Sequence, residues 1–152
     1  MIEKNQELHY KNLLSFRGNF TEKDMQKKIK KLYKFITDNN LTITGPKIST
    51  TYSLTQATID LEILIPVDKE FKETEQFKFK PELKLINALK STHKGNPQGF
   101  DNTVIEMEKY IQDKKLIPIT SLYSVNVMEV TCVEEIDKFH TDIFIAINPN
   151  IF

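Results

Sequence analysis

The chain has 152 residues, 39% of them apolar, enough for one hydrophobic core and too few for two independent ones, so a single domain over residues 1–152 is expected. Its 21 basic and 21 acidic residues cancel, so no overall field draws it to nucleic acid or to an anionic membrane, and neither is expected as a partner. The one cysteine, Cys132, excludes an internal disulfide and a cysteine-based zinc site. With no signal-peptide core and no apolar run near the ~20 residues a membrane-spanning helix needs, a cytoplasmic location is expected.

In chain order, Leu8, Tyr10, Leu14 and Phe16 share a parity, with Leu13 breaking it, which predicts a strand over residues 8–17 covered mostly on one face, turned at Gly18-Asn19. Thr21-Glu22-Lys23-Asp24 resembles a capping box, and the stripe Met25, Ile29, Leu32, Ile36 carries a helix to about Asn40. Five lysines from Lys27 to Lys34 fall largely off the stripe. Only Tyr33 is interleaved with them, too little aromatic surface for stacking on bases, so they read as a solvated face. Strands follow at 47–54 and 58–67, the second with Ile59, Leu61, Ile63 and Ile65 on a dry face and Asp60, Glu62 and Leu64 on a mixed one. Residues 68–80 read as a connection running into a strand through Leu83, Leu85 and Leu89. Asn96-Pro97 then reads as an N-cap and first helical residue, with the helix ending near Leu116 before Pro118. Strands over 119–130 and 138–148 complete the chain.

The chain repeats itself. Lys34–Leu41 is echoed by Lys109–Leu116, and the stripe of the first helix maps at the same spacing onto Phe100, Val104, Met107 and Ile111. Asp60–Ile65 is answered by Asp142–Ile147 at a slightly larger offset, which makes Phe144 the counterpart of Glu62. Both halves, approximately 8–67 and 82–148, thus read strand, helix, strand, strand. The expected fold class is α+β, an antiparallel sheet with two helices on one face, built from two pseudo-twofold βαββ repeats.

Two tracts, Asp60-Leu61-Glu62-Ile63-Leu64-Ile65-Pro66-Val67 and His93-Lys94-Gly95-Asn96-Pro97, together with the duplicated order of elements, resemble the GyrI-like family of effector-binding, SOUL-like duplicated βαββ domains. Tyr10–Gly18 further resembles a subgroup of Bacillota proteins classed as a domain of unknown function. The resemblance implies an apolar, aromatic cleft between the repeats that takes flat, cationic or lipophilic compounds. In ligand-binding relatives a buried glutamate two residues before a tyrosine neutralises a cationic guest; the matching positions here are Ser121 and Tyr123, so the tyrosine is kept and the carboxylate is not. No helix-turn-helix precedes the first strand, which implies a stand-alone module.

Candidate ligand-binding residues are therefore Tyr52, Glu62, Ser121, Tyr123 and Phe144. Glu62 reads either as a cleft carboxylate, able to meet a cation or serve as a general base with a raised pKa, or as a solvent-facing strand residue. Tyr52 and Tyr123, at matching places in the repeats, read as opposite aromatic walls or as core residues with bonded hydroxyls. His9, His93 and His140 lack metal-ligand spacing, and no phosphate loop, dinucleotide fingerprint or nucleophile elbow is present, so no metal, cofactor or catalytic residue is expected. The first reading of function is a small-molecule-binding module, sequestering or sensing a lipophilic or aromatic compound. The alternatives are a protein-binding accessory or inhibitor, and a hydrolase of reactive lipophilic compounds.

Overall fold

A strand rich in Ile and Leu on both parities has to be covered on both faces, and two such strands organise the molecule. The computed structural model describes residues 2–55, 57–94, 99–128 and 140–150. Its elements run β1 (Ile2–Phe20), α1 (Glu22–Asp38), β2 (Lys47–Leu54), β3 (Ile59–Pro66), β4 (Phe77–Lys94), α2 (Phe100–Asp113), β5 (Tyr123–Met128) and β6 (His140–Ala146). Every described strand pairing is antiparallel, and the fold is the expected α+β combination of six strands and two helices. The chain divides into two compact units, His9–Leu83 and Met1–Leu8 with Lys84–Phe152.

In the first unit β3 pairs with β1 on one side and β2 on the other. The Thr21 hydroxyl accepts the Asp24 N–H and starts α1, whose Leu32 and Ile36 pack on Leu14, Phe16, Ile63 and Ile65. Leu13 to Phe16 and Leu61 to Pro66 are buried without alternation, so β1 and β3 are covered on both faces where one covered face was expected for β1. The second unit repeats the plan: β6 pairs with β4 and β5, and Met107 and Ile111 of α2 pack on Leu89, Ile143 and Ile145. On the helix stripes and the repeated strands, Leu32, Ile36, Leu61, Ile63, Met107, Ile111, Ile143 and Ile145 are all buried.

Several boundaries differ from the sequence expectation. Gly18 and Asn19 stay within β1, opposite Leu61 and Asp60, and the turn comes at Thr21. The Phe20 ring lies over Gly18, so that a Cβ there would come within 2.1 Å of it unless the ring shifted. The N-cap of α2 is Gly99, with no side-chain cap bond, whereas Asn96 and Pro97 lie outside the described residues. Ile119 is exposed and precedes β5, linked to the sheet by its N–H to the Ala146 carbonyl.

The echoed octapeptide is a pair of identical helix stops. At the first, the Leu41 N–H donates to the Ile36 carbonyl and that of Asn40 to Thr37, at 3.0 and 3.1 Å; at the second, Leu116 donates to Ile111 and Lys115 to Gln112 at the same distances. Asn40 and Lys115 are left-handed, with φ of 55° and 53°. This is the Schellman geometry, in which two orphan carbonyls are satisfied and an apolar residue after the helix meets one in its last turn. The motif explains why Ile36 and Leu41 recur as Ile111 and Leu116.

Register shows how far the duplication extends. The shift that takes Ile36 to Ile111 also takes Asn12 to Asn87, both with positive φ, and each accepts an N–H from the strand beside it, that of Val67 or of Ile147. Leu14 pairs with Ile65 as Leu89 pairs with Ile145, Thr50 with Glu62 as Val125 with Asp142, and the bulges at Thr51/Ser53 and Asn126/Met128 coincide. Register therefore equates Glu62 with Asp142 and Asp60 with His140, correcting the expected match of Asp60 to Asp142 and of Glu62 to Phe144. It also equates Tyr123 with Ile48, not with Tyr52. The apolar alternation of β3 and β6 survives a slip of two residues unchanged, which is why the two alignments look alike in sequence.

Two outcomes test this account. Lys115→Gly relieves a left-handed lysine and should stabilise the protein by about 1 kcal/mol in urea titration, with Asn40→Gly gaining only a few tenths because asparagine tolerates that conformation. Ile63→Ala and Ile143→Ala should each cost about 2 to 5 kcal/mol; losses within roughly 0.5 kcal/mol would place them outside the core.

Candidate functional site

The alternation of β3 sends Leu61, Ile63 and Ile65 toward α1 and Glu62 and Leu64 to the other face. Antiparallel pairing sets Thr50 of β2 opposite Glu62 and Ile48 opposite Leu64; on β1, Leu13 and Ser15 alternate with the α1-facing Leu14 and Phe16. Glu62 is 3% exposed, so the reading of it as a solvent-facing residue does not hold.

A carboxylate placed so must be paired, and three side chains do this. Ser15 donates its hydroxyl to Oε2 in a short hydrogen bond, Lys80 Nζ lies 2.8 Å from the same oxygen, and the Tyr52 hydroxyl donates to Oε1 at 2.7 Å. Burial pushes the Glu62 carboxyl up, but the hydrogen bonds from Lys80, Ser15 and Tyr52, with the Lys80 charge, together outweigh it and hold the group below the ordinary carboxylate range. The expectation of a raised pKa is thereby corrected: Glu62 is held ionised, and as a general base it is weakened.

The network opens toward solvent through its partners. Tyr52 is 39% exposed, and the Arg17 guanidinium carbon sits 3.9 Å from its ring centroid, a cation–π contact. Arg17 also meets Asp60 at 3.4 Å. Two acids and two bases thus alternate as Asp60, Arg17, Glu62 and Lys80, with the Tyr52 ring between Arg17 and Glu62. Tyr52 is the extra residue of the bulge between Thr51 and Ser53, where the strand register shifts.

The other three candidates lie in the second unit. Tyr123 and Phe144 are direct cross-strand partners and both buried. Ser121 falls two residues ahead of Tyr123, before β5 begins, and its carbonyl accepts from the Thr120 hydroxyl at 2.9 Å. The candidates thus form a Tyr52–Glu62 pair in one unit and a Tyr123–Phe144 pair in the other.

The sequence reading missed Asp142 as a site residue. At the position equivalent to Glu62, its carboxylate accepts from the Thr92 hydroxyl at 2.7 Å and lies 3.9 Å from Lys90 Nζ, which is itself 5.7 Å from the Phe144 ring centroid. Only strand register finds it: the spacing that equates the two helices, extended to Glu62, falls five residues short of Asp142. Lys80 and Ser15 were also missed, because sequence carries no signal for partners so far away along the chain. His93 is a buried strand residue whose ring nitrogen meets the Thr103 hydroxyl of α2 at 3.2 Å, and it edges onto Phe100. Among the described residues no cluster of His, Cys, Asp and Glu has metal-binding geometry, and no helix is long and apolar enough to cross a membrane.

None of the curated proteins matches this chain in sequence. Among solved structures, a cryo-EM structure of the EcmrR–DNA complex within an EcmrR–RPo assembly is similar at a TM-score of 0.73 and 15% identity, over 97% of this chain and 56% of that one. The chain thus spans little more than half of that regulator. The isolated EcmrR C-terminal domain is similar at a TM-score of 0.72 and 14% identity, over 97% and 98% of the two chains. A protein from Listeria innocua described as a hydrolase follows at 0.61 and 16%, over 97% and 91%. At such identities these structures share the fold alone, and they agree with the α+β architecture that the GyrI-like resemblance implies. The family model described as Domain of unknown function (DUF5085) matches residues 9–148, nearly the whole sequence, and the chain belongs to that family.

Proposed function

We propose that this protein is a small-molecule-binding module, and that the network of Glu62, Tyr52 and Lys80 takes part in recognising a flat, lipophilic and largely neutral compound. The observation that carries this reading is a buried carboxylate held ionised beneath a partly exposed tyrosine and lysine. Ligand sites combine apolar walls with a few convergent polar groups, and Glu62 lies on a sheet face with Leu13, Ile48 and Leu64, all fully buried. The GyrI-like architecture supports the same reading.

The charge arrangement narrows the guest. A cation entering a low-dielectric site must recover its lost hydration from an anion or from aromatic faces. Glu62 already carries Lys80 as its counter-ion, and Ser121 stands where the family resemblance implies a glutamate. Neutral planar compounds are therefore favoured over cations. Hydrolysis is the second reading, suggested by the description of the Listeria protein. The depressed Glu62 carboxyl opposes it, because a base held below its ordinary range accepts a proton less readily.

Fluorescence titration with acridone, neutral and planar, and with cationic 9-aminoacridine tests the proposal. Acridone should bind saturably and more tightly than 9-aminoacridine. Tyr52→Ala should weaken acridone about tenfold, and Ser121→Glu should improve the cation. Absence of saturable acridone binding, or tighter cation binding that survives Glu62→Gln, would overturn it.

The acid limb of stability gives an independent check on the network. A carboxyl whose folded pKa lies below its unfolded value stabilises fully above that unfolded value, ordinarily 4.5, and loses the contribution as pH falls through the folded pKa. Wild type should exceed Glu62→Gln by about 1 to 3 kcal/mol in urea at pH 7, with the gap closing as pH drops below that value. A gap that stays constant down to pH 3 would show that Glu62 is not held ionised by the fold.

A further inference from the structure

The second unit contains a cleft of about 370 Å³, within the range that small ligands occupy. Leu89, Tyr110, Leu116 and Ile147 are among its walls. Register and the matched helix stops equate these four with Leu14, Phe35, Leu41 and Val67 of the first unit, and there the same place is filled. Phe77 joins the core cluster of Leu14, Leu41 and Val67 with its ring 4.6 Å from that of Phe35, and Phe71 meets Phe35 edge-on at 5.5 Å. One repeat thus shows what the walls accept, an aromatic ring supplied by the chain. In the other, the shift that equates Leu14 with Leu89 puts Ile2 at the position of Phe77, where it packs on the cluster of Leu89 and Ile147, and among the described residues no aromatic ring stands against Tyr110 as Phe71 and Phe77 stand against Phe35.

The polar surroundings changed with the occupant. In the first unit Asp68 accepts the Thr42 N–H at 2.8 Å, and Asn39 bonds the Phe35 carbonyl. The matching positions lining the cleft are Asn148 and Lys114, so an acid has become an amide and an amide has become a cation. Lys4 adds a second cation to the lining, and no carboxylate side chain is part of it. Among the described residues, no carboxylate lies within ion-pair distance of either lysine. An apolar aromatic slot rimmed by two cations and an amide donor fits a guest with a flat ring and a negative charge.

We infer that this cleft is a binding site for a small aromatic carboxylic acid, its ring packing against Tyr110 as the chain's own rings pack against Phe35 in the first repeat and its carboxylate meeting Lys114 and Lys4. The site is separate from the Glu62 network and does not depend on the function proposed for it. It differs also in charge preference, favouring anions over neutral and cationic guests.

The test is calorimetric titration of the full chain with 2-naphthoate, 2-naphthamide and 2-naphthylmethylamine, three probes with one ring system and different charge. Naphthoate should bind saturably, about tenfold more tightly than the amide, with the amine weakest. Lys114→Glu should abolish the preference for naphthoate over the amide, and Lys4→Gln should reduce it. Both lysines are exposed, and an unchanged thermal midpoint in these variants establishes that the fold is retained. Equal affinity for acid and amide, or full naphthoate binding in Lys114→Glu, would overturn the inference. Shifts of Leu89, Tyr110 and Leu116 resonances on adding naphthoate should report the location; shifts confined to residues 9–83 would overturn it equally.

Discussion

A central strand closed to water on both faces must satisfy every polar group it carries, and β3 imposes that constraint on the first repeat. Its α1-facing side is satisfied by hydrophobic packing alone. Its other side carries Glu62, and an uncompensated charge there would cost several kcal/mol. Ser15, Tyr52 and Lys80 are positioned by three different strands to meet that one carboxylate. The continuation of β4 back to Phe77 serves this compensation, because it carries Lys80. Structure and candidate function thus rest on the same bonds, and replacing any partner alters the charge state of the site as well as its stability.

The two repeats keep one backbone and have diverged in their side chains. Helix stops, left-handed asparagines, bulges and strand registers coincide, because each is fixed by hydrogen bonds that tolerate few substitutes. The carboxylate at the centre of the sheet also coincides, as Glu62 and Asp142. Its surroundings do not: Glu62 is enclosed by a hydroxyl, a phenol and an ammonium group, whereas Asp142, one methylene shorter, reaches only Thr92 and a more distant Lys90 among the described residues. Beside the helix stops the divergence runs to volume as well as charge, with phenylalanines packed in one repeat and a cleft left in the other. A duplicated fold offers two positions for every feature, and only one of each pair has to keep a structural role.

The ionised state of Glu62 also separates binding from catalysis. General-base chemistry near neutral pH favours a carboxyl raised by burial, and burial alone acts in that direction here. The partners reverse it. Such a group is better suited to orienting a hydroxyl or a hydrogen-bond donor of a guest than to removing a proton from water, which is why a binding module accounts for the geometry better than a hydrolase.

What the sequence determined by itself were the features set by short-range periodicity: both helices, the apolar stripes from Met25 to Ile36 and from Phe100 to Ile111, the strands around β2, β3 and β6, and the α+β class. The matching helix stops were legible because the Schellman motif writes both its ends within one octapeptide. Glu62 and Tyr52 were legible as candidates, but their bond to each other was not, nor were Lys80 and Ser15, whose contacts join residues far apart along the chain. The alignment of Asp60 with Asp142 went astray because an alternating strand looks the same after a slip of two, and only hydrogen-bond register removes that ambiguity. The direction of the Glu62 titration was likewise decided by tertiary structure alone, since burial and pairing push it in opposite directions and only the positions of the three donors determine which prevails.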